Sequence, residues 1–210
     1  MELDASASLT DVAFAACTAL DRAGEVAVLC GGSAATYYVP ETYQSRDLDF
    51  VLRFAARARV VDEALRPLGY VRAPEGLYRN PQIAYTIEFP AGPLAIGSET
   101  ITSYATERRG ELVLHVYTPT DVVRDRFMHY WAWGDQVALR IALDVARARA
   151  PEIDVASIVA WTARELAEAP IYDRARRDHF IGKLERVVTP PAVPANPTPL
   201  GTVATPRRPV

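Results

Sequence analysis

The sequence contains little lysine, cysteine or histidine. Among its 23 basic residues only Lys183 is a lysine, so a phosphate-binding cation in this chain would be an arginine. Both side chains can hold a phosphate, arginine through a planar fork of donors. The two cysteines, Cys17 and Cys30, have no Cys or His neighbour at metal-ligand spacing, which favours small core residues in a reducing compartment. No spacing joins the three histidines into a metal site or a catalytic triad.

Long apolar runs and an excess of positive charge are also absent. No uninterrupted apolar stretch approaches the roughly 20 residues that a membrane-spanning helix requires. The first residues lack the basic start and apolar run of a signal peptide. We therefore expect a cytoplasmic protein with no membrane partner. A net charge of −3 and a pI near 5.7 argue against non-specific nucleic-acid binding, although a local basic groove remains compatible with them.

The most informative segment joins a glycine-rich turn to a pair of aspartates. Gly31-Gly32-Ser33 follows an apolar run and precedes a predicted short helix, so it offers backbone N–H groups and a hydroxyl to an anion. Further along, Asp47 and Asp49 alternate with apolar residues, which predicts that both carboxylates lie on one face of a strand. Two adjacent carboxylates repel each other unless a cation lies between them, and Mg²⁺ is the usual occupant.

Together, these residues resemble the signature of the nucleotidyltransferase superfamily related to DNA polymerase β. They are most similar to its AbiEii-like bacterial branch, which includes toxins of toxin–antitoxin and phage-defence pairs. The resemblance covers roughly residues 25–170. It continues through residues 83–90, where Glu88 is the third acidic residue expected on a later strand, and reaches a helical stretch with a basic residue, Arg124, and then Asp135.

The resemblance implies Mg²⁺-dependent transfer of a nucleoside monophosphate from an NTP to a hydroxyl. The acceptor could be a tRNA, a protein or a small molecule, and an antitoxin protein could be a partner. The implied metal ligands are Asp47, Asp49 and Glu88. The implied phosphate-binding groups are Gly31, Gly32 and Ser33, with Arg124 balancing leaving-group charge and Asp135 orienting Arg124 or the nucleotide.

Plainer interpretations accompany each of these residues. Most Gly-Gly pairs are ordinary turns, and carboxylates alternate on any solvated sheet face. Glu88 fits a surface glutamate as well as a catalytic one, and Arg124 could instead stabilise the helices through Asp121 or Asp125. The chain could also be a non-catalytic nucleotide- or partner-binding module, or a kinase-like phosphotransferase toxin on the same fold.

The hydrophobic pattern predicts an α/β (α+β) lobe with a mixed sheet over residues 1–118 and an all-helical lobe over residues 119–188. The predicted helices cover residues 10–23, 33–38, 57–68, 119–133, 135–149, 153–169 and 172–188. The predicted strands cover residues 26–29, 47–54, 77–79, 83–89 and 111–117. Residues 189–210 are rich in proline and poor in large apolar groups, so we expect them to be disordered.

Two further groups attract a functional interpretation. Phe127, Tyr130, Trp131 and Trp133 could stack on a nucleobase, but their helical spacing favours core packing, with room for one member to face a cleft. The basic run at residues 174–177 predicts a solvated helix face, with tRNA or an acidic partner as the alternative.

Overall fold

The computed structural model of the protein describes residues 3–54, 58–169 and 171–189, so most of the proline-rich tail lies outside the described residues. The helices are α1 (Leu9–Arg22), α2 (Gly31–Tyr38), α3 (Ala58–Leu65), α4 (Pro119–Trp133), α5 (Gln136–Ala148), α6 (Val155–Glu168) and α7 (Arg174–Val188). The strands are β1 (Ala27–Cys30), β2 (Asp47–Leu52), β3 (Val71–Arg72), β4 (Tyr78–Arg79), β5 (Thr86–Glu88), β6 (Ala95–Ile96), β7 (Glu99–Thr100), β8 (Ala105–Arg109) and β9 (Leu112–Val116).

Seven of these strands form one mixed sheet in the order β3-β4-β5-β2-β1-β9-β8. Strand β1 runs antiparallel to β2 and parallel to β9, and β2 runs parallel to β5. The two-stranded β6–β7 hairpin is separate from this sheet. The mixed α/β fold predicted from the sequence is confirmed.

The sequence predicted one helix over residues 57–68, but the observed α-helix in this segment is shorter. Helix α3 ends at Leu65 and continues as a 3-10 turn over Arg66–Leu68, which contains Pro67 near its start. Proline has no N–H to donate and its ring crowds the preceding helical turn, so an α-helix cannot continue through this position without distortion. The turn ends at Gly69, which has a φ of +81°.

Aromatic side chains form the centre of the C-terminal helices. The rings of Phe127 and Phe180 stack with centroids 4.0 Å apart, and Trp131 lies 4.9 Å from Phe127. Tyr130 is also buried, as the helical spacing predicted. Trp133, the last residue of α4, is instead 73% exposed.

The β6–β7 hairpin is attached to α6 through a buried carboxylate. Glu165 Oε1 accepts hydrogen bonds from the Ser98 N–H at 2.9 Å, the Ser98 hydroxyl at 2.8 Å and the Trp161 indole at 3.0 Å. A Cβ at the neighbouring Gly97 would lie 2.7 Å from the Glu165 carboxylate, so only glycine fits this turn. These contacts fix β7 against the helices.

One continuous buried cluster extends from α1 to α7. The predicted lobe boundary falls at Thr118, whose side chain caps α4, and the division into two lobes stays a prediction. Within the described ranges, none of the helices is both long enough and apolar enough to cross a membrane.

Candidate active site

The turn between β1 and α2 leaves a helix start without a side-chain cap. Cys30 is the N-cap residue and makes no side-chain capping hydrogen bond. Gly31 follows with a φ of +62°, a conformation that favours glycine. The first N–H groups of a helix have no intrahelical partner, so those of Gly31 and Gly32 are suited to binding an anion, and their implied phosphate contacts stay a prediction.

Both glycines lie directly against polar side chains of the neighbouring loop and strand. A Cβ at Gly31 would collide with Asp49 Oδ2. A Cβ at Gly32 would lie 2.9 Å from the Tyr43 hydroxyl and 3.3 Å from Ser45 Oγ. The turn therefore approaches the aspartate pair more closely than any larger residue would allow.

Ser33 fastens this turn to the aspartate strand. Its hydroxyl donates to the Cys30 carbonyl at 2.7 Å and accepts from the Asp49 N–H at 3.1 Å, and the side chain is fully buried. The resemblance implied a phosphate contact from Ser33. In the structure this hydroxyl already donates one hydrogen bond and accepts another, so Ser33 holds the turn against β2, and its implied phosphate contact stays a prediction.

Three carboxylates occupy one face of the sheet. Along β2 the side chains of Leu48 and Phe50 are buried, whereas those of Asp47 and Asp49 are half-buried on the opposite face. The parallel ladder to β5 pairs Asp49 with Glu88, which brings the third carboxylate to the same face. Asp47 is further held by the Ser45 hydroxyl at 2.8 Å.

The environment of Asp49 opposes its charged form. Burial raises the pKa of Asp49 to about 6, and the like charges of Asp47 and Glu88 add to the shift, while Arg126 counteracts them. In the described part of the chain, no three His, Cys, Asp or Glu side chains are already arranged around a metal position. Mg²⁺ commonly takes only one or two protein carboxylates and completes its shell with water and phosphate, so this crowded anionic pair fits it.

The one cation among the main charge partners of Asp49 is Arg126 on α4. Its Nε and Nη2 atoms donate to Asp125 Oδ2 at 2.9 and 2.7 Å. Burial disfavours the guanidinium charge, yet the attraction and hydrogen bonds of Asp125 raise the pKa of Arg126 above its ordinary value, with a smaller contribution from Asp49. Arg126 is therefore a permanent positive charge beside the anionic face, and it is absent from the site that the sequence predicted.

Arg124 has a different environment. Residues two apart on a helix point about 200° apart, so Arg124 and Arg126 lie on opposite sides of α4. The Arg124 guanidinium lies 4.6 Å over the Trp161 ring, 3.1 Å from Asp121 and 2.9 Å from Glu99. It is 6% exposed. The structure therefore does not bring Arg124 to the carboxylates, and the alternative role through Asp121 describes its contacts.

Asp135 caps a helix. Its side chain accepts hydrogen bonds from the N–H groups of Val137 and Ala138 at the start of α5, at 2.8 and 3.1 Å. These bonds account for its position, and its implied contact with a nucleotide stays a prediction. The negative charge of Asp135 acts to raise the pKa of His129, a residue that lies one turn after Arg126 on α4.

A cavity of about 560 Å³ lies elsewhere, between α1 and α3. Its lining is largely apolar and includes Ala15, Ala19, Ala64 and Leu68. None of the candidate residues lines it, so the cavity and the carboxylate cluster are separate features.

The comparisons with known proteins identify the fold. No family model matches the chain, and no curated protein matches it in sequence. The crystal structure of an antigenic nucleotidyltransferase-like protein from Paracoccidioides brasiliensis matches with a TM-score of 0.51 and 12% identity, covering 88% of this chain and 95% of that one. The chain has a nucleotidyltransferase-like fold.

A second solved structure also matches. The antibiotic-resistance factor ANT(2'')-Ia matches with a TM-score of 0.40 and 16% identity, covering 77% of this chain and 98% of that one. At this TM-score the match adds no argument to the first. At such identities the likeness establishes the fold alone, and the AbiEii-like branch stays a prediction.

Proposed function

We propose that the protein is a Mg²⁺-dependent nucleotidyltransferase that moves a nucleoside monophosphate from an NTP to a hydroxyl acceptor. The observation that carries the proposal is the placement of Asp47, Asp49 and Glu88 on one sheet face, with Asp49 directly against the uncapped start of α2. Like charges held together in a folded protein indicate a site built for a cation. The nucleotidyltransferase-like fold is consistent with this chemistry.

Each group has a role in such a transfer. Asp47 and Asp49 would hold Mg²⁺, which when bound supplies charge neutralisation for the triphosphate and a lower pKa for the acceptor hydroxyl. The N–H groups of Gly31 and Gly32 would bind oxygens of the departing phosphates. Glu88 would complete the metal site or accept the acceptor's proton. The acceptor oxygen bonds to the α-phosphorus as the bond to the pyrophosphate oxygen breaks.

Arg126 replaces Arg124 in this proposal as the cation that balances leaving-group charge. Arg126 acts electrostatically on Asp49, so it would contact a phosphate bound together with Mg²⁺ at that carboxylate. Its bond to Asp125 keeps the guanidinium oriented before a ligand arrives. Arg124, in contrast, is engaged by Asp121 and Glu99 on the other side of α4.

The first expected result concerns metal and nucleotide. Calorimetric titration of each NTP should give binding that strengthens with Mg²⁺, and the Asp47→Asn/Asp49→Asn variant should lose more than about tenfold in affinity because the metal loses its anionic ligands. A Glu75→Gln/Glu111→Gln variant removes the same charge from two exposed positions and should bind as the wild type does. Equal, metal-independent binding by all three proteins would remove the proposal.

The released product distinguishes nucleotidyl transfer from the kinase-like alternative. Attack at the α-phosphorus releases pyrophosphate, whereas transfer of the γ-phosphate releases a nucleoside diphosphate. Incubation of the protein with NTP, Mg²⁺ and candidate tRNA or protein acceptors, followed by chromatography of the nucleotides, identifies which is formed. Neither product with any acceptor would favour the binding-module interpretation.

The second expected result concerns Arg126. Arg126→Ala should weaken NTP binding by more than about tenfold. The reason is that Arg126 is the one cation among the main charge partners of Asp49. Arg126→Lys should retain more of the affinity, because it keeps the charge and loses only the fork of donors. Thermal unfolding of both variants must be measured in parallel, because loss of the bond to Asp125 also affects stability. Unchanged affinity in Arg126→Ala would remove this residue from the site.

The toxin role and the antitoxin partner rest on the sequence resemblance alone. They remain part of the proposal, as do the cytoplasmic location and the identity of the acceptor. Growth arrest on expression, dependent on Asp47 and Asp49, would support the toxin role.

A further inference from the structure

Trp133 differs from the other two tryptophans of the chain in its exposure. Trp131 and Trp161 are each 1% exposed within the helical core, whereas Trp133 is 73% exposed at the end of α4. A large apolar ring left in water contributes little to the stability of the fold. The packing of α4 therefore gives no reason for tryptophan at this position.

A line of contacts joins Trp133 to Arg126. Arg126, His129 and Trp133 are spaced i, i+3 and i+7, so they lie along one side of α4. Arg126 Nη2 is 3.3 Å from His129 Nε2, and the rings of His129 and Trp133 meet with centroids 5.0 Å apart. Arg126 in turn lies within the electrostatic reach of Asp49.

The protonation of His129 suits this arrangement. A guanidinium can only donate, so His129 Nε2 accepts the bond and carries no proton. Burial lowers the pKa of His129, and the positive charge of Arg126 lowers it further. The imidazole is therefore neutral near pH 7, and its ring plane is inclined at 64° to that of the indole. Trp133 remains 73% exposed despite this contact, so most of its surface is accessible to a ligand.

The distance between Arg126 and Trp133 along α4 matches the distance between a phosphate and the base of a nucleotide. Seven residues of α-helix rise about 10 Å, which separates the Trp133 backbone from that of Arg126. A positive charge at the C-terminal end of α4 also suits a phosphate-bearing ligand. Arg176 from α7 donates to the Trp131 carbonyl at 3.1 Å and its guanidinium lies against Gly134, next in the chain after Trp133. The acidic neighbour Asp135 is engaged by two backbone N–H groups.

We propose that Trp133 is a stacking surface for a nucleobase of a ligand whose phosphate binds at Arg126. This inference rests on the proposed function and adds a base-binding position to it. Every nucleobase presents a π face to an aromatic ring, so stacking at Trp133 would tolerate all four bases. The base belongs either to the NTP or to the terminal nucleotide of a single-stranded RNA acceptor.

The test compares ligands with and without a base. The first pair of probes is each NTP and inorganic tripolyphosphate, both with Mg²⁺. The second pair is a short single-stranded RNA and the same RNA with an abasic 3′ end. Binding of all probes is measured calorimetrically for the wild type, Trp133→Ala and Trp133→Phe.

Trp133→Ala should lose between about fivefold and about a hundredfold in affinity for one base-containing probe, with no change for its base-free counterpart. Trp133→Phe should recover much of the loss because it retains an aromatic face. A loss confined to the NTP pair assigns the position to the donor nucleotide, and a loss confined to the RNA pair assigns it to the acceptor.

The matched control is Phe54→Ala. Phe54 is a 71% exposed aromatic residue that follows the end of β2, whereas Asp47 begins this strand, so the variant removes a similarly exposed ring at the other end of β2. It should bind every probe as the wild type does. Equal affinities of wild type and Trp133→Ala for both base-containing probes would overturn the inference, and so would failure of both probes to bind the wild type.

The metal and base experiments fail in different ways. If binding is independent of Mg²⁺ and of Asp47 and Asp49 but still requires Trp133, the nucleotidyltransferase proposal fails and the base-binding position survives. If binding requires Mg²⁺ and the aspartates but is unaffected by Trp133→Ala, the reverse holds.

Discussion

Arg124→Ala is expected to destabilise the fold by about 3–5 kcal/mol. Removing one partner of a buried ion pair leaves the other charge without compensation. In this variant the uncompensated charge would be that of Asp121, whose side chain is only 10% exposed. The variant also loses the stacking of the guanidinium on Trp161 and the contact with Glu99, which fixes β7 to α4. Urea denaturation, compared through the free energy of unfolding, measures the loss.

A double variant provides the control for this first prediction. Arg124→Met/Asp121→Asn removes both charges and fills much of the same volume, so it should recover a large part of the lost stability. NTP affinity of Arg124→Ala, measured well below its unfolding temperature, should remain close to that of the wild type. Reduced affinity with unchanged stability would instead return Arg124 to the phosphate-binding role that the sequence resemblance implied.

Asp49→Asn is expected to stabilise the metal-free protein at pH 8 by on the order of 1–3 kcal/mol. The pKa of Asp49 rises from 3.8 to about 6 on folding, so the folded protein binds this proton more tightly than the unfolded chain does. The stabilising effect of protonation is complete below pH 3.8 and is lost as the pH rises through about 6. The wild type should therefore lose stability from about pH 4 to pH 6, and asparagine should reduce this loss.

Chelator-treated protein, unfolded by urea at several pH values, tests this second prediction. Glu111→Gln removes a carboxylate whose side chain is 95% exposed and should leave the pH profile unchanged. Added Mg²⁺ should stabilise the wild type at pH 8 and have little effect on Asp49→Asn, because a ligand that binds only the folded state raises its stability. A destabilised Asp49→Asn protein at pH 8 would contradict the repulsion among the three carboxylates.

The sequence predicted well those elements whose signals come from neighbouring residues in the same element. The four C-terminal helices begin and end within a few residues of their predicted bounds, since capping residues and apolar spacing are local signals. Strands β3, β6, β7 and β8 were not predicted. Strand β8 is mostly polar and its extended form is fixed by its ladder with β9, a pairing that periodicity cannot detect.

The same distinction between local signals and long-range pairing applies to the candidate site. The shared face of Asp47 and Asp49 could be predicted from a period of two, whereas the alignment of Glu88 with Asp49 depends on a parallel pairing between distant segments. The choice between Arg124 and Arg126 had a signal in the sequence. Arg124 shares its helical side with Phe127 and Trp131, at spacing i, i+3 and i+7, which marks it as a core-facing position.

The close approach of Gly31 and Gly32 to the site constrains how the proposed activity could be lost during evolution. While Asp49 is present, residue 31 cannot acquire a side chain, because the new Cβ would occupy the position of the carboxylate. Asp49 itself can be replaced by a smaller or neutral residue without a steric penalty, and we expect such a change to stabilise the fold. An inactive descendant would therefore lose its aspartate first and keep its glycines, whose loss would disrupt the turn. The glycine pair would persist as a trace of the ancestral site after the chemistry had gone.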